Sequence, residues 1–225
     1  MRRTARLVTL AVSCLGARLA SADRYEASIA VRPIGGVGRV AEQVGSGSMP
    51  TAHSTGATAY AGGGEISLGY GLRNWLDVDG ELVAAGFMQA SYDEARVAVM
   101  GVPMTGHLTR TTRIAQLRVG ATLRGGVDWV PTLHLGLGFG GRVQTAGTLA
   151  DAAGRRDVTP DGMTAGVSMD LVALVRAGME HRFDRRWTAG LSVEAAHMFA
   201  PGGPPIDAIS AGLSLSYTWY PLMPW

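Results

Sequence analysis

Asp77, Asp79 and Glu81 stand at alternate positions in the stretch Trp75–Leu82, which reads WLDVDGEL. Carboxylates at close spacing can bind calcium or act as general acids and bases, so this group is the first candidate for chemistry. A calcium-binding EF-hand loop, however, needs a glycine at its sixth position, a ligand at its twelfth and two flanking helices. Here the group follows a turn and alternates with apolar residues. The spacing therefore predicts three carboxylates on one face of a β-strand.

The five histidines give weak signals for a site, because no HxxxH or HExxH pair occurs. We expect His134 to be a hydrogen-bonded histidine inside the fold, and His181 and His197 to anchor outward-facing strand ends. His53 and His107, each followed closely by Ser or Thr, are the nearest pairs of a base and a nucleophile, but both fall in segments that we expect to be long loops. We therefore predict no catalytic residue, no cofactor and no metal, and a protein that is not an enzyme.

The first 22 residues have the features of an export signal. A basic start precedes an apolar run from Leu7 to Ala17, and Ala20-Ser21-Ala22 offers a cleavage site. The run is too short to cross a bilayer as a helix. We expect a signal peptide over residues 1–22 and one domain over 23–225. A lipoprotein anchored at Cys14 is the alternative, although the residues before this cysteine lack the usual leucine.

Composition excludes several classes of protein. Hydrophobic residues make up 47% of the chain and charged residues 17%, which excludes a disordered chain. The single cysteine lies in the predicted signal, so the mature chain can form no disulfide. Removing the signal also removes arginines and leaves a slight excess of acidic residues. The basic isoelectric point of about 9.0 is therefore no argument for nucleic-acid binding.

A two-residue period dominates the rest of the sequence. In the segment Ile209–Tyr220, odd positions are apolar and even positions as far as Thr218 are Ser, Gly or Thr. The same alternation recurs at 24–35, 57–72, 75–88, 113–125, 129–143, 166–182 and 187–198. The pattern predicts eight strands of about 10–16 residues each.

The predicted connectors alternate between short and long, as in an up-and-down barrel. Short connectors fall at 73–74, 126–128 and 184–186. Long connectors fall at about 39–56, 89–111 and 144–165, with a medium one at 199–206.

The distribution of charges and aromatic residues indicates which face of the strands is outside. Charged residues of both signs share the polar face: Glu65, Asp77, Asp79, Glu81, Arg118, Arg124, Arg142, Asp170, Arg176, Glu180, Arg182 and Glu194. Aromatic residues collect near one rim, as in a membrane-interface belt: Trp75, Trp129, Trp187, Tyr217 and Trp219. These features predict an all-β fold, a transmembrane up-and-down antiparallel β-barrel with a lumen network of charges. A soluble lipocalin-like barrel with its apolar face inward is the alternative.

Two segments resemble small eight-stranded outer-membrane barrels of Gram-negative bacteria, the OmpA-like group. Residues Ser210–Tyr217 resemble the assembly signal of these proteins, with Ser210, Gly212, Leu215 and Tyr217 at its polar, glycine, hydrophobic and aromatic positions. Residues Gly69–Asp77 resemble a hairpin that recurs in such barrels. The resemblance implies export to the outer membrane, contact with outer-membrane lipid, and recognition of the C-terminal strand by the barrel-assembly machinery.

The expected function is a structural or surface-loop-binding role, with a charged and mostly plugged lumen, because eight strands enclose little more than their own side chains. The ligand of the surface loops is unknown, and no nucleic-acid partner is expected. A narrow ion channel and a lipid-modifying barrel enzyme remain as alternatives.

Overall fold

The computed structural model describes residues 25–40, 57–158, 167–199 and 206–220. The predicted signal peptide and His53 lie outside the described residues. The described part is all β-structure, with strands β1 (Ala27–Val40), β2 (Ala57–Arg73), β3 (Leu76–Val99), β4 (Val102–Arg124), β5 (Trp129–Asp151), β6 (Gly154–Val158), β7 (Val167–Arg182), β8 (Trp187–Phe199) and β9 (Ile206–Trp219). No helix in these ranges is long and apolar enough to cross a membrane.

Eight of the strands close into an antiparallel barrel in the order β1-β2-β3-β4-β5-β7-β8-β9. The last strand returns to the first, with Ala27 opposite Trp219, and the ring is complete through β4 and β5. Closure gives each of these eight strands a hydrogen-bonded neighbour on both sides, which a sheet in a hydrocarbon phase requires. The predicted fold class is confirmed.

Tight connections follow β2, β4 and β7 at one end of the barrel. We call this end the short-turn end and the opposite end the far end. Two of the predicted long connectors at the far end were wrong, because much of 89–111 and 144–165 is strand. Strands β3, β4 and β5 run on past their neighbours, and β6 adds a short hairpin to β5. This far-end extension consists of 91–99, 102–111, 144–151 and β6.

The alternation failed to predict the extension because β3 changes phase twice. The register between β3 and β4 shifts between Val83 and Gly86, and again between Tyr92 and Ala95. Each irregularity exchanges the inward and outward positions of the strand. The hairpin tip is Met100-Gly101, with φ values of 52° and 76°, a conformation that tight hairpins need.

The barrel carries its hydrophobic side chains on both sides of its wall. The outer surface is an apolar band that includes Ile66, Leu117, Leu135, Leu171 and Leu213, each more than 40% exposed. The lumen is filled by two layers, a charged one towards the short-turn end and an apolar one towards the far end. Apolar groups outside and buried charges inside are the arrangement of a membrane barrel.

Candidate functional site

The centre of the lumen is occupied by six charged side chains, each from a different strand. We call Arg32, Glu65, Glu81, Arg118, Arg176 and Glu194 the central cluster. Arg176 is the most exposed of the six side chains, at 13%, and the other five are at most 5% exposed. Three arginines and three glutamates balance one another, so the cluster carries no net charge.

Every carboxylate of the central cluster meets more than one arginine. Glu194 accepts hydrogen bonds from Arg32 at 2.7 Å, Arg118 at 3.1 Å and Arg176 at 2.8 Å. Arg176 also holds both oxygens of Glu81, at 2.6 and 3.0 Å. Buried ion pairs stabilise a fold only when such additional bonds offset the cost of removing the charges from water. The bonds cross the lumen and tie opposite walls together.

Arg32 was absent from the predicted lumen network, although the structure puts it at the middle of the cluster. Its guanidinium lies 2.5 Å from Glu65 and donates to Ser192 at 3.1 Å. The signal for this residue was present, since Arg32 shares the parity of Glu26, and both are buried. The even positions of Glu26 and Arg32 were enough to assign both residues to the charged, inward face.

Glycines on the inner wall provide the space in which the long lumen side chains lie. A Cβ on Gly138 would be 2.8 Å from Cγ of Arg118, and one on Gly212 would be 3.0 Å from Cγ of Arg32. Such distances are shorter than van der Waals contact, so only glycine fits while the arginines keep their positions. This accounts for part of the high glycine content of the chain.

A second charged layer lies between the central cluster and the short-turn end. Arg124 is 2.7 Å from Asp77 and 3.6 Å from Glu180. Arg182 is 3.8 Å from Glu26. Asp79 lies in the same layer but outside these ion pairs, next to His134. The layer therefore has more carboxylates than arginines, unlike the central cluster.

His134 lies at the junction of the two layers. Its Nδ1 is 3.0 Å from the Thr122 hydroxyl and 3.3 Å from Asp79 Oδ2, and its Nε2 is 3.6 Å from Glu81 Oε1. Asp79, Glu81 and His134 can each offer one ligand atom within 4.8 Å of the others. Among the described residues, this is the group whose chemistry suits a metal ion. No residue spacing indicated this group, because the histidine comes from β5 and the acids from β3.

Towards the far end from the central cluster, the lumen is mostly apolar. Met88, Ile114, Val172, Leu174 and Met198 belong to a buried hydrophobic cluster towards the far end. A separate ion pair, Arg142 with Asp170 at 3.3 Å, lies at this level. Both residues belong to the predicted lumen network. A cavity of about 50 Å³ remains between the charged and apolar layers, which is room for a few water molecules.

The predicted belt residues lie at the short-turn end. Trp187 contacts Tyr217 with a centroid distance of 5.0 Å, and Tyr217 stacks on Trp219 at 6.3 Å. The rings of Trp129 and His181 pack with their centroids 4.5 Å apart. Trp75 lies in the turn between β2 and β3, at the same rim. The four tryptophans are exposed and Tyr217 is half-buried, a placement that suits aromatic residues at a membrane interface.

The four residues of the predicted assembly signal lie on β9. Leu215 faces outward and Gly212 inward, so the segment presents both faces of the strand that closes the barrel. Ser210 is half-buried, and the Tyr217 hydroxyl accepts a hydrogen bond from Arg186 at 3.2 Å.

Two histidine–aspartate pairs lie outside the lumen. His107, which was predicted to lie in a loop, is part of β4 in the extension and contacts Asp93 at 2.8 Å. His197 faces outward near the far end of β8 and contacts Asp207 at 2.6 Å. Three of these four side chains are more than 40% exposed, and His197 is 37% exposed. Neither pair has the buried surroundings of His134.

The extension also contains a charged contact at its tip. Arg156 of β6 donates a hydrogen bond to Asp151, the last residue of β5. This hydrogen bond, aided by one from the backbone N–H of Ala153, holds the pKa of the Asp151 carboxyl below its usual value.

The fold and the lumen together define a transmembrane β-barrel of the type found in bacterial outer membranes. No protein-family model matches the sequence, and neither does any curated protein. Solved structures do match. The outer membrane protein OprG from Pseudomonas aeruginosa is 11% identical with a TM-score of 0.51, covering 91% of this chain and 100% of that one.

Two further structures are similar in the same way. Neisserial surface protein A, NspA, is 10% identical with a TM-score of 0.46, covering 87% of this chain and 96% of that one. Ail, the attachment invasion locus protein of Yersinia pestis, is 14% identical with a TM-score of 0.45, covering 88% and 100%. At these identities the similarity concerns the fold, which is that of small outer-membrane barrels of Gram-negative bacteria.

Proposed function

We propose that the protein is a closed outer-membrane barrel that anchors a β-structured extension at the cell surface, in a structural or binding role rather than a catalytic one. The observation that carries the proposal is the central cluster, which fills the lumen with mutually paired side chains. Closure leaves the outer wall and the extension as the surfaces on which the protein can act.

The closed lumen follows from the order of its layers. An ion moving along the axis would have to separate Arg176 from Glu81 and Glu194, which hold it at 2.6 to 3.0 Å. It would then meet the layer around Met88 and Met198, which is apolar apart from the Arg142–Asp170 ion pair and so compensates a dehydrated ion poorly. Both barriers must open before the barrel conducts.

The extension is built as a surface for contact. Its strands bury Tyr92, Leu108 and Leu149, each at most 3% exposed, so it has a packed face of its own. Its other side exposes charged residues such as Asp93 and Arg156. Surface segments on a rigid scaffold are where binding concentrates in proteins of this architecture. We also propose that outer-membrane lipid contacts the apolar band. The barrel-assembly machinery would recognise the last strand through Ser210, Gly212, Leu215 and Tyr217.

Conductance in planar lipid bilayers tests the closed lumen. We expect no stable current steps from the wild-type protein. The double variant Arg176→Ala with Glu194→Ala removes one charge of each sign and should still be closed by the apolar layer. Adding Met88→Ala and Met198→Ala to it should produce small steps.

Steady ohmic steps from the wild-type protein would overturn the proposal and favour the second candidate, a narrow ion channel. A matched control is Met88→Ala with Met198→Ala alone, in which the central cluster is intact and should prevent conduction. A heat-modifiable shift in gel mobility shows that each variant is folded.

A further inference from the structure

We propose that Asp79, Glu81 and His134 form a binding site for a divalent transition-metal ion of the zinc class, at the short-turn side of the central cluster. The site uses one imidazole nitrogen and two carboxylates, which are ligands that zinc accepts. It concerns the lumen alone and does not depend on the role proposed for the extension.

The hydrogen bonds of the His134 imidazole favour a proton on Nδ1. Thr122 donates to Asp79 Oδ2 at 2.8 Å, so its oxygen is free to accept from Nδ1 of His134 at 3.0 Å. Asp79 Oδ2, 3.3 Å from the same nitrogen, reinforces this direction. With the proton on Nδ1, Nε2 carries a lone pair. A hydrogen-bonded Nδ1–H of this kind orients histidine ligands in metal sites.

The lone pair on Nε2 of His134 faces a buried space that contains other acceptors. Nε2 of His134 is buried and has no hydrogen-bond partner, and the same is true of Asp79 Oδ1. His134 as a whole is 3% exposed. Oε1 of Glu81 lies 3.6 Å from Nε2. Acceptors that face one another in a buried space are costly unless a cation lies between them.

The distances suit a metal ion. Two ligand atoms on one tetrahedral zinc, each at about 2.0 to 2.2 Å, are separated by about 3.4 Å. The 3.6 Å between Nε2 of His134 and Oε1 of Glu81 is close to this value. Glu81 is held in place by Arg176, so the carboxylate is oriented before an ion arrives.

The charge of the surroundings also favours a cation. Among the described residues of the layer at the short-turn end, the carboxylates of Glu26, Asp77, Asp79 and Glu180 accompany the guanidinium groups of Arg124 and Arg182. The contacts of Asp79 are with Thr122 and His134, neither of which is an arginine. A divalent ion beside Asp79 would offset the excess negative charge of this layer.

The test is to titrate chelator-treated protein in detergent micelles with ZnCl₂ and to measure binding by isothermal titration calorimetry. We expect one saturable site per chain, and visible absorption bands of a nitrogen–oxygen site when CoCl₂ replaces zinc. His134→Gln and Asp79→Asn should each weaken binding by about 10-fold or more. MgCl₂ should not compete, because magnesium prefers all-oxygen ligands.

The exposed pairs provide matched controls. His107→Ala and His197→Ala each remove a histidine next to an aspartate outside the lumen, and both should leave the affinity unchanged. The proposal is overturned if the wild-type protein shows no saturable zinc binding. It is also overturned if the outer variants lose binding while His134→Gln retains it.

A variant that fails to fold is recognised by the missing heat-modifiable gel shift. Thr122→Val then replaces it in the test, because this change removes the group that orients the imidazole and leaves the three ligands in place. It should weaken zinc binding, and unchanged affinity in this variant would contradict the argument from tautomer and orientation.

Discussion

Leu135→Arg tests whether the apolar wall of the barrel faces hydrocarbon. Leu135 points outward from β5 and is 57% exposed. It lies six residues beyond Trp129, the belt residue at the start of the same strand. At about 3.4 Å per residue and a tilt of about 40°, this places Leu135 about 15 Å from the belt, near the middle of an apolar band about 25 Å tall.

The expected cost follows from this depth. An arginine on the lipid face of a barrel costs about 2–4 kcal/mol at the midplane and little near the interface. We expect Leu135→Arg to lower the free energy of unfolding by that amount, measured by urea titration of tryptophan fluorescence in lipid vesicles. The side chain cannot relieve the cost by turning inward, because the lumen beside it is filled by His134.

Met100→Arg is the matched control. Met100 is 93% exposed at the tip of the β3–β4 hairpin, so a charge there stays in water and the free energy of unfolding should change by less than about 0.5 kcal/mol. Equal unfolding free energies for the two variants would refute the orientation of the wall and support a soluble barrel.

Two further predictions concern the lumen and the extension. In Gly120→Ala, the new Cβ would lie 2.7 Å from Nε2 of His134, so we expect the free energy of unfolding to fall by about 1–3 kcal/mol in the same urea assay. The control Gly141→Ala, whose Cβ would have nothing within 4 Å, should be close to neutral. Equal effects of the two changes would contradict the packing around His134. The pKa of Asp151 is lowered by the hydrogen bond from Arg156, so this contact should order the tip above the ordinary aspartate pKa and be lost as the pH falls through the lowered value. Carboxyl NMR titration should show a higher Asp151 midpoint in Arg156→Ala, and an unchanged midpoint would contradict this cause.

The sequence by itself determined the class of the fold and the two faces of its wall. The period of two along β9 places Leu213 outward and Ser214 inward whatever the neighbouring strands do, because successive side chains of a strand point to opposite faces. Charges confined to one parity then identify the lumen, since an unpaired charge in hydrocarbon is too costly. The rim residues follow from the same count, which brings Trp129 and Trp187 to strand starts after short turns.

Only the tertiary structure decided which lumen residues meet. Arg32 and Glu194 are 162 positions apart and come together because the barrel closes with one particular stagger between its strands. The same closure brings His134 to Glu81, which no spacing in the sequence could indicate.

The bulges of β3 and the length of the extension were equally hidden from the sequence. A bulge adds one residue against its partner strand and reverses the faces beyond it, so the pattern after Val83 no longer continues the pattern before it. Local alternation is thus set by the chain's own geometry, whereas pairing across the lumen depends on register and closure, which are properties of the whole barrel.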